Sequence, residues 1–210
     1  MVAQLLARQV EASDPRRGLV DKIVKQTFRV SEIINSLLNF SRTTATAFAS
    51  VDLNKVIQET LGLMEHQLAS AEVSVAADLA ASLPPIHGNA GKLQQIFLNL
   101  FLNAKDAMPE GGTLRIRTAH HNARIQVEVT DTGIGIARDH LHKIYDPFFT
   151  TKPAASGRGA GLGLAVSYGI IHKHHGTIQV SSSPGQGTSF LLEFPAHQPV
   201  AAAAGRRTRA

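Results

Sequence analysis

Hydrophobic residues recur at helical spacing in four segments of the chain. In residues 19–40, apolar side chains return every three or four positions and polar side chains fill the opposite face. A helix of about six turns with one apolar face needs a partner, so this pattern predicts packing in a bundle or a dimer. Shorter helices are predicted at about 53–70, 89–108 and 162–174.

Strict alternation of apolar and polar residues predicts strands elsewhere. The predicted strands are 72–79, 113–121, 124–130, 177–182 and 188–194. Residues 41–50 are small and polar, which is typical of a linker, and residues 131–160 form a long loop containing Gly, Pro and Thr. This order predicts an α+β fold: a two-layer α/β sandwich with a mixed, largely antiparallel sheet, preceded by a helical hairpin remnant.

Composition narrows the possible functions. The 210 residues contain no cysteine, which excludes disulfide scaffolds, cysteine zinc sites and thiol nucleophiles. Three arginines within the last five residues supply most of the net charge of +5, so the charge does not indicate a nucleic-acid partner. No segment resembles a signal peptide or a membrane span. We therefore expect a cytoplasmic location for the chain as given, with membrane anchoring of a full-length protein left open.

The first two candidate clusters are polar. Gln95, Asn99 and Asn103 are spaced four apart on the helix 89–108 and therefore share one face. They are either ligand-binding carboxamides or a solvated polar stripe. Asp131 directly follows a strand and precedes Gly133, Gly135 and Ile136. A carboxylate beside glycines suits an acceptor for a ligand amino group, although the same string also occurs in ordinary turns.

The other two clusters lie between residues 145 and 164. Residues 145–152 place consecutive aromatics in a loop, which indicates either a mobile loop over a ligand or a hydrophobic plug. Residues 157–164 are rich in glycine and open a helix, so their N–H groups and the helix dipole favour phosphate. Neither a Walker A loop nor a dinucleotide fingerprint is present.

Taken together, the four clusters resemble the ATP-binding domain of sensor histidine kinases over about residues 51–195. That domain belongs to the wider family of type II topoisomerases, Hsp90 chaperones and MutL proteins, and the pattern is most similar to nitrogen-regulation-like kinases. The similar motifs are the N box at 99–104, the G1 box at 131–136, the F box at 146–152, the G2 box at 159–164 and a last glycine motif at 185–188. The resemblance implies a Bergerat-type ATP-binding fold.

The resemblance also implies a role for each motif. Asn103 would coordinate Mg²⁺, Asp131 would accept the adenine amino proton, and Thr188 would hydrogen-bond near Asp131. Lys152 and Arg158 would approach the phosphates, with Asn99 also placed among the residues of phosphoryl transfer. The implied nucleotide-binding residues are Asn99, Asn103, Asp106, Asp131, Gly133, Gly135, Ile136, Tyr145, Phe149, Lys152, Gly159, Gly161, Leu162, Gly163, Leu164 and Thr188.

Asn99 distinguishes two chemistries within the family. The resemblance places a water-activating Glu at this position in the ATPase branches, and a carboxamide cannot act as that base. The chain is therefore expected to hold ATP without hydrolysing it quickly. The implied activity is transfer of the γ-phosphoryl group to a protein histidine and then to an aspartate of a response regulator.

Two features depart from the resemblance. The first histidine is His66, so no phosphoacceptor lies on a hairpin helix. We expect residues 1–48 to be a partial dimerisation hairpin, 49–197 the ATP-binding domain and 198–210 a disordered basic tail. Such a chain would bind ATP but not autophosphorylate, and would need the phosphoacceptor hairpin of a kinase that is a homodimer at full length. Asp106 stands where many relatives carry a basic residue, with Lys105 as the alternative phosphate contact.

Three other interpretations concern the histidines and the activity. His172, His174 and His175 are predicted to be surface or fold residues rather than metal ligands. The nucleotide fold is shared with serine protein kinases of the anti-sigma type, although the helix 19–40, continuing into Ser41 and Arg42, argues against that class. A nucleotide-binding scaffold without catalysis is the third possibility.

Overall fold

The structure is a computed structural model that describes Asp14, residues 18–19, residues 47–152 and residues 161–197. The predicted helix 19–40, the linker up to residue 46 and the basic tail therefore lie outside the described residues, apart from Leu19. Within the described part, no helix is both long enough and apolar enough to span a bilayer.

The described residues form seven strands and four helices. The strands are β1 (Ala49–Val51), β2 (Val73–Asp78), β3 (Ile86–Gly88), β4 (Gly112–His121), β5 (Arg124–Asp131), β6 (Thr177–Ser182) and β7 (Thr188–Pro195). The helices are α1 (Leu53–Ala69), α2 (Ala90–Ala107), α3 (Arg138–Leu141) and α4 (Gly163–Lys173). Each helix and strand predicted from periodicity within this part is present, with bounds within two residues of those expected.

The main sheet has the strand order β2–β4–β5–β7–β6. β2 pairs with β4 in parallel, and the other neighbours pair antiparallel, which confirms the expected mixed and largely antiparallel sheet. In this register Asp131 on β5 lies between Leu114 on β4 and Thr188 on β7. The end of β5 is therefore in the middle of the sheet, where neighbouring strands flank it on both sides.

Two short elements correct the sequence interpretation. The end of the predicted linker 41–50 is strand β1, which pairs antiparallel with β3. Val51 and Ile86 are buried at this pairing, so packing fixes the segment. A strand of three residues is too short to show an alternating pattern in the sequence. Helix α3 lies within the predicted loop 131–160; at four residues it is too short for a helical period to be visible.

Helix α2 lies at the centre of the core. Its apolar residues are buried on several sides, and Phe97 and Phe101 are fully enclosed with ring centroids 6.2 Å apart. The inner face of the sheet supplies the opposite wall, through Leu114, Ile116, Ile125, Val127, Val129, Phe190, Leu192 and Phe194. The Asn89 side chain accepts a hydrogen bond from the N–H of Lys92 at 3.0 Å and caps the start of the helix.

A buried histidine joins the start of α2 to the end of α4. The Nε2 atom of His174 accepts a hydrogen bond from the N–H of Asn89 at 3.0 Å, so the ring proton is on Nδ1, which donates to the carbonyl of Ile170 at 2.8 Å. Burial lowers the pKa of His174; the contact with Ile170 opposes this, and the nearby His175 and His87 add to it. His174 is therefore a residue of the fold, held by its hydrogen bonds to Asn89 and Ile170.

The His174 contact makes the stability of the domain dependent on pH. Because its pKa is lower in the folded state than the ordinary value of 6.5, the unfolded chain binds the proton more tightly, and stability falls as pH drops below about 6.5. The expected loss approaches 1.4 kcal/mol per pH unit for this one proton. Urea unfolding of the wild type and His174→Gln between pH 7.5 and 5 measures it.

The matched control is His66→Gln, since His66 is exposed on α1. The His174→Gln variant should show a shallower pH dependence than the wild type, and His66→Gln should keep the wild-type slope. Equal slopes in all three proteins would mean that His174 does not resist protonation in the folded state.

Candidate functional site

Helix α2 connects the four sequence clusters. Near its end, the carbonyl of Ala107 accepts a hydrogen bond from the N–H of Ile134 at 2.9 Å. In its middle, Asn99 Nδ2 donates to the carbonyl of Gly163 at 3.0 Å. Between these points Lys152 of the third cluster contacts polar side chains of the helix. One helix therefore brings together residues from all four segments singled out in the sequence.

Asp131 is a buried carboxylate at the end of β5, 6% exposed. Its Oδ1 atom accepts a hydrogen bond from the N–H of Gly133 at 2.9 Å. Burial raises the pKa of Asp131, while main-chain hydrogen bonds from Gly133 and Thr188 act in the opposite direction. The Asp131 carboxylate is thus fixed by two N–H donors and is poorly solvated. Its oxygens keep lone pairs that can accept a hydrogen bond from a further donor.

Two glycines let the backbone close around this carboxylate. A Cβ atom at Gly133 would collide with the carbonyl of Ala107, and one at Gly187 would collide with the carbonyl of Asp131. Gly187 also has a φ of +77°, which side chains rarely tolerate. The glycines are therefore required by close approach of main chain to main chain.

The loop after Asp131 is joined to the β6–β7 turn. Gly135 has a φ of +71°, and a Cβ there would strike the carbonyl of Ser183. The N–H of Ile136 donates to Ser182 Oγ at 2.8 Å, and the Ser182 and Thr188 hydroxyls are 3.0 Å apart. Sequence reasoning did not find Ser182, whose only signal is a hydroxyl at a strand end. It found Thr188, which contacts Asp131 through its main-chain N–H.

Asn99 is bonded to α4. Its Nδ2 atom donates to the carbonyl of Gly163 and, at 3.2 Å, to the hydroxyl of Ser167, which is fully buried. A solvated stripe therefore does not describe this residue. The carboxamide fixes the beginning of α4, where the predicted residues Leu162 and Leu164 also lie.

Lys152 lies against two polar residues of α2. Its ammonium group is 2.7 Å from Asp106 Oδ2 and 3.4 Å from Asn103 Oδ1. The other carboxylate oxygen of Asp106 is 3.5 Å from the ammonium group of Lys105. The predicted magnesium residue Asn103 thus lies in one charged cluster with Asp106, Lys152 and Lys105, the alternative phosphate contact.

The third and fourth clusters are also bonded to each other. The N–H of Phe148 donates to the carbonyl of Gly161 at 2.9 Å, and a Cβ at Gly161 would collide with the main chain of Phe148 and Phe149. Phe148 has a φ of +69° and is 67% exposed, whereas Phe149 is half-buried with its ring 5.5 Å from that of His140. Arg158 and Gly159 lie outside the described residues.

Tyr145 packs against α4. Its ring centroid is 5.1 Å from that of Tyr168, and burial, together with Tyr168, raises the pKa of Tyr145 to about 12. Among the residues that the structure describes, none hydrogen-bonds to its buried hydroxyl. A nucleotide contact by Tyr145 stays a prediction.

Comparison with known proteins identifies the family. Residues 88–198, more than half of the chain, match the family described as histidine kinase-, DNA gyrase B- and HSP90-like ATPases. The chain belongs to this family. The match begins at the end of β3 and includes every motif of the site, and the resemblance drawn from the sequence is confirmed.

Individual relatives of this ATPase-family chain are sensor kinases. The sensor histidine kinase ZraS of Escherichia coli strain K12 is 35% identical over 194 residues, covering 92% of this chain and 41% of ZraS. The catalytic domain of histidine kinase ThkA has a TM-score of 0.64 at 28% identity, covering 72% of this chain and 97% of that domain. Full-length ShkA in complex with AMPPNP has a TM-score of 0.69 at 26% identity, covering 94% of this chain and 42% of the ShkA chain. The chain thus spans less than half the length of ZraS.

The close approach at Gly133 predicts a large effect of one methyl group. Gly133→Ala should lower the free energy of unfolding by about 1–3 kcal/mol, because either the β5 end or the end of α2 must move. Gly62→Ala on α1 is the matched control, since nothing lies within 4 Å of its added Cβ and the helix gains up to about 1 kcal/mol. Urea unfolding compares them. Equal stability of Gly133→Ala and the wild type would contradict the packing described.

Proposed function

We propose that residues 49–197 are the ATP-binding catalytic domain of a sensor histidine kinase. The domain binds Mg-ATP and donates the γ-phosphoryl group to a histidine of a dimerisation hairpin, for onward transfer to an aspartate of a response regulator. The observation that carries this proposal is the attachment of one central helix to all the other motif segments, with a buried carboxylate at one end of the group. Membership of the ATPase family and the similarity to ZraS support it.

Adenine recognition is assigned to the Asp131 region. The carboxylate is already oriented by the N–H of Gly133, so it can accept the adenine amino proton without rearranging. Gly133 and Gly135 let the loop after Asp131 lie directly against the main chain of Ala107 and Ser183, and Ile136 is proposed to supply an apolar contact for the base. Partial desolvation of Asp131 strengthens the hydrogen bond it would make.

Phosphate binding is assigned to the start of α4. Main-chain N–H groups of Gly161 to Leu164 precede or begin the helix, where the dipole favours anions. Arg158 and Gly159 are proposed to act on the same phosphates, as is Lys152. Tyr145 and Phe149 are proposed to close the nucleotide site from the third cluster.

The residues of α2 fit a magnesium ion. The oxygen of Asn103 accepts a hydrogen bond from the Lys152 ammonium group, so it already points at a cation, and carboxamide oxygens are suitable ligands for Mg²⁺. Bound Mg²⁺ would neutralise charge on the triphosphate during transfer. In this proposal Asn103 holds the metal, and Asn99 positions α4 for the phosphates through its Nδ2 donors.

Slow hydrolysis follows from the same residues. Asn99 has no basic group, and its amide is engaged with Gly163 and Ser167, so it cannot activate water. Bound ATP would then persist until a protein histidine reaches the γ-phosphoryl group. We further propose that residues 1–48 are part of the dimerisation hairpin and that 198–210 form a tail. The ZraS match, longer than the segment 49–197, supports assigning residues beyond the catalytic domain to the same kinase.

Replacing the buried carboxylate should separate binding from folding. Asp131→Asn should weaken Mg-ATP binding by roughly 10–100-fold, because the carboxamide turns a charge-assisted hydrogen bond into a neutral one. The same variant should be at least as stable as the wild type at pH 7, since burial disfavours the charged form of Asp131. Calorimetry measures affinity, and urea unfolding measures stability.

Asp139→Asn on α3 is the control, because Asp139 is exposed and this substitution removes the same charge. It should keep wild-type affinity. Unchanged affinity in Asp131→Asn would place the adenine site elsewhere.

Phosphoryl transfer can be tested with a separate acceptor. When the chain is incubated by itself with ATP labelled at the γ-phosphate, it should not become labelled and should turn ATP over slowly. When a hairpin that carries the acceptor histidine is added, that hairpin should become labelled. A hairpin with that histidine replaced is the control. Label that survives acid would indicate a serine kinase of the anti-sigma type, since phosphohistidine is acid-labile. ATP binding without any transfer would favour a scaffold.

A further inference from the structure

The ammonium group of Lys152 lies between two oxygen ligands of α2. It is 2.7 Å from Asp106 Oδ2 and 3.4 Å from Asn103 Oδ1. The two α2 residues are three positions apart and therefore neighbours on one helix face. The Lys152 side chain is 31% exposed and that of Asp106 15%, so water screens this contact only partly.

Asp106 has a lysine at each of its carboxylate oxygens. One carboxylate oxygen contacts Lys152, and the other is 3.5 Å from the ammonium group of Lys105. A carboxamide oxygen and a carboxylate oxygen around a compact cation are also a donor set that Mg²⁺ accepts. Lys152 thus occupies a position whose surroundings suit a metal ion.

We propose that Lys152 occupies the cation position of the nucleotide-free site, that Mg²⁺ arriving with ATP displaces it, and that Asp106 then becomes a second protein ligand of the metal beside Asn103. This inference rests on the proposed function, because it assumes that the site binds Mg-ATP. It assigns to Asp106 a metal contact in place of the phosphate contact made by a basic residue.

Displacement follows from the distances. A magnesium ion bound to Asn103 lies about 2.1 Å from the ligand oxygen, and the Lys152 nitrogen is now 3.4 Å from that same atom. A divalent cation and an ammonium group this close would repel strongly. Lys152 must therefore leave, and the triphosphate offers its ammonium group new anionic partners. Lys105 stays beside Asp106, so the ion pair on the other carboxylate oxygen is retained.

Displacement of Lys152 by Mg²⁺ predicts how a change at Asp106 affects ATP binding with and without the metal. Removing the Asp106 charge takes a ligand from Mg²⁺ and also releases Lys152, which can then reach phosphates without the metal. Asp106→Asn should therefore weaken binding of ATP with Mg²⁺ and strengthen or preserve binding of ATP in EDTA. If Asp106 served only to hold the loop around Lys152, both affinities would fall together.

Calorimetry on the chain with ATP, in Mg²⁺ and in EDTA, measures the ratio of the affinity with Mg²⁺ to the affinity in EDTA. We expect Asp106→Asn to lower that ratio roughly tenfold, while the control Asp139→Asn leaves it unchanged. In saturating ADP, the Kd of Mn²⁺ measured by electron paramagnetic resonance should rise by a similar factor in Asp106→Asn. An unchanged ratio, or an unchanged Mn²⁺ Kd in a variant that still binds ADP, would overturn the proposal.

Lys152→Met provides a test that needs no nucleotide. The variant keeps an apolar stem of similar length and leaves Asp106 without its closest cation, so Mn²⁺ alone should bind more tightly than to the wild type. Equal or weaker Mn²⁺ binding would contradict displacement. A wild-type chain that binds no ATP would refute the proposed function instead, and the Mn²⁺ comparison would still decide whether Lys152 occupies a metal position.

Discussion

The site depends on one helix that has to satisfy two environments. The apolar residues of α2 are enclosed by the sheet and the other helices, with Phe97 and Phe101 fully buried. Two of its carboxamides, Asn99 and Asn103, its one carboxylate and its last carbonyl are hydrogen-bonded to α4 and to the loops that carry Lys152 and Ile134. Because the packed rings fix the position of α2, they also fix where Asn99 and Asn103 lie. A change in the core would therefore reach the site through a rigid element rather than through a flexible one.

Burial of a charged group at the end of β5 has an electrostatic cost. Asp131 keeps a negative charge in a buried position, where desolvation outweighs the help of two main-chain donors. Such a group destabilises the folded protein slightly and gains from a ligand that donates a hydrogen bond to it. The glycines around it, Gly133 and Gly187, let main chain pack directly against main chain and so hold this carboxylate in place.

Local pattern was enough for the long elements and for singling out the segments that the structure brings together around α2. The helices α1, α2 and α4 and the five long strands follow from periodicity, and the glycine and asparagine clusters indicated nucleotide binding. The strands β1 and β3 were missed because three residues show no alternation. Contacts across long separations had no local signal: Lys152 reaches Asp106 across 46 residues, and His174 reaches Asn89 across 85. The ion pair of Asp106 with Lys152 is such a contact, and the sequence alone showed Asp106 only as a departure from the basic residue of many relatives.

The pair formed by α2 and α4 has a mechanical consequence. The helices are joined near the start of α2 by Asn89 and His174, and in its middle by Asn99 with Gly163 and Ser167. Two separated attachments prevent one helix from pivoting on the other, since rotation about either would break the second. The distance between the carboxamides of α2 and the start of α4 is therefore constant. Adjustment to ligands of different size then falls on the connecting segment 142–152, so the composition of this loop could change ligand preference while the helix pair stays the same.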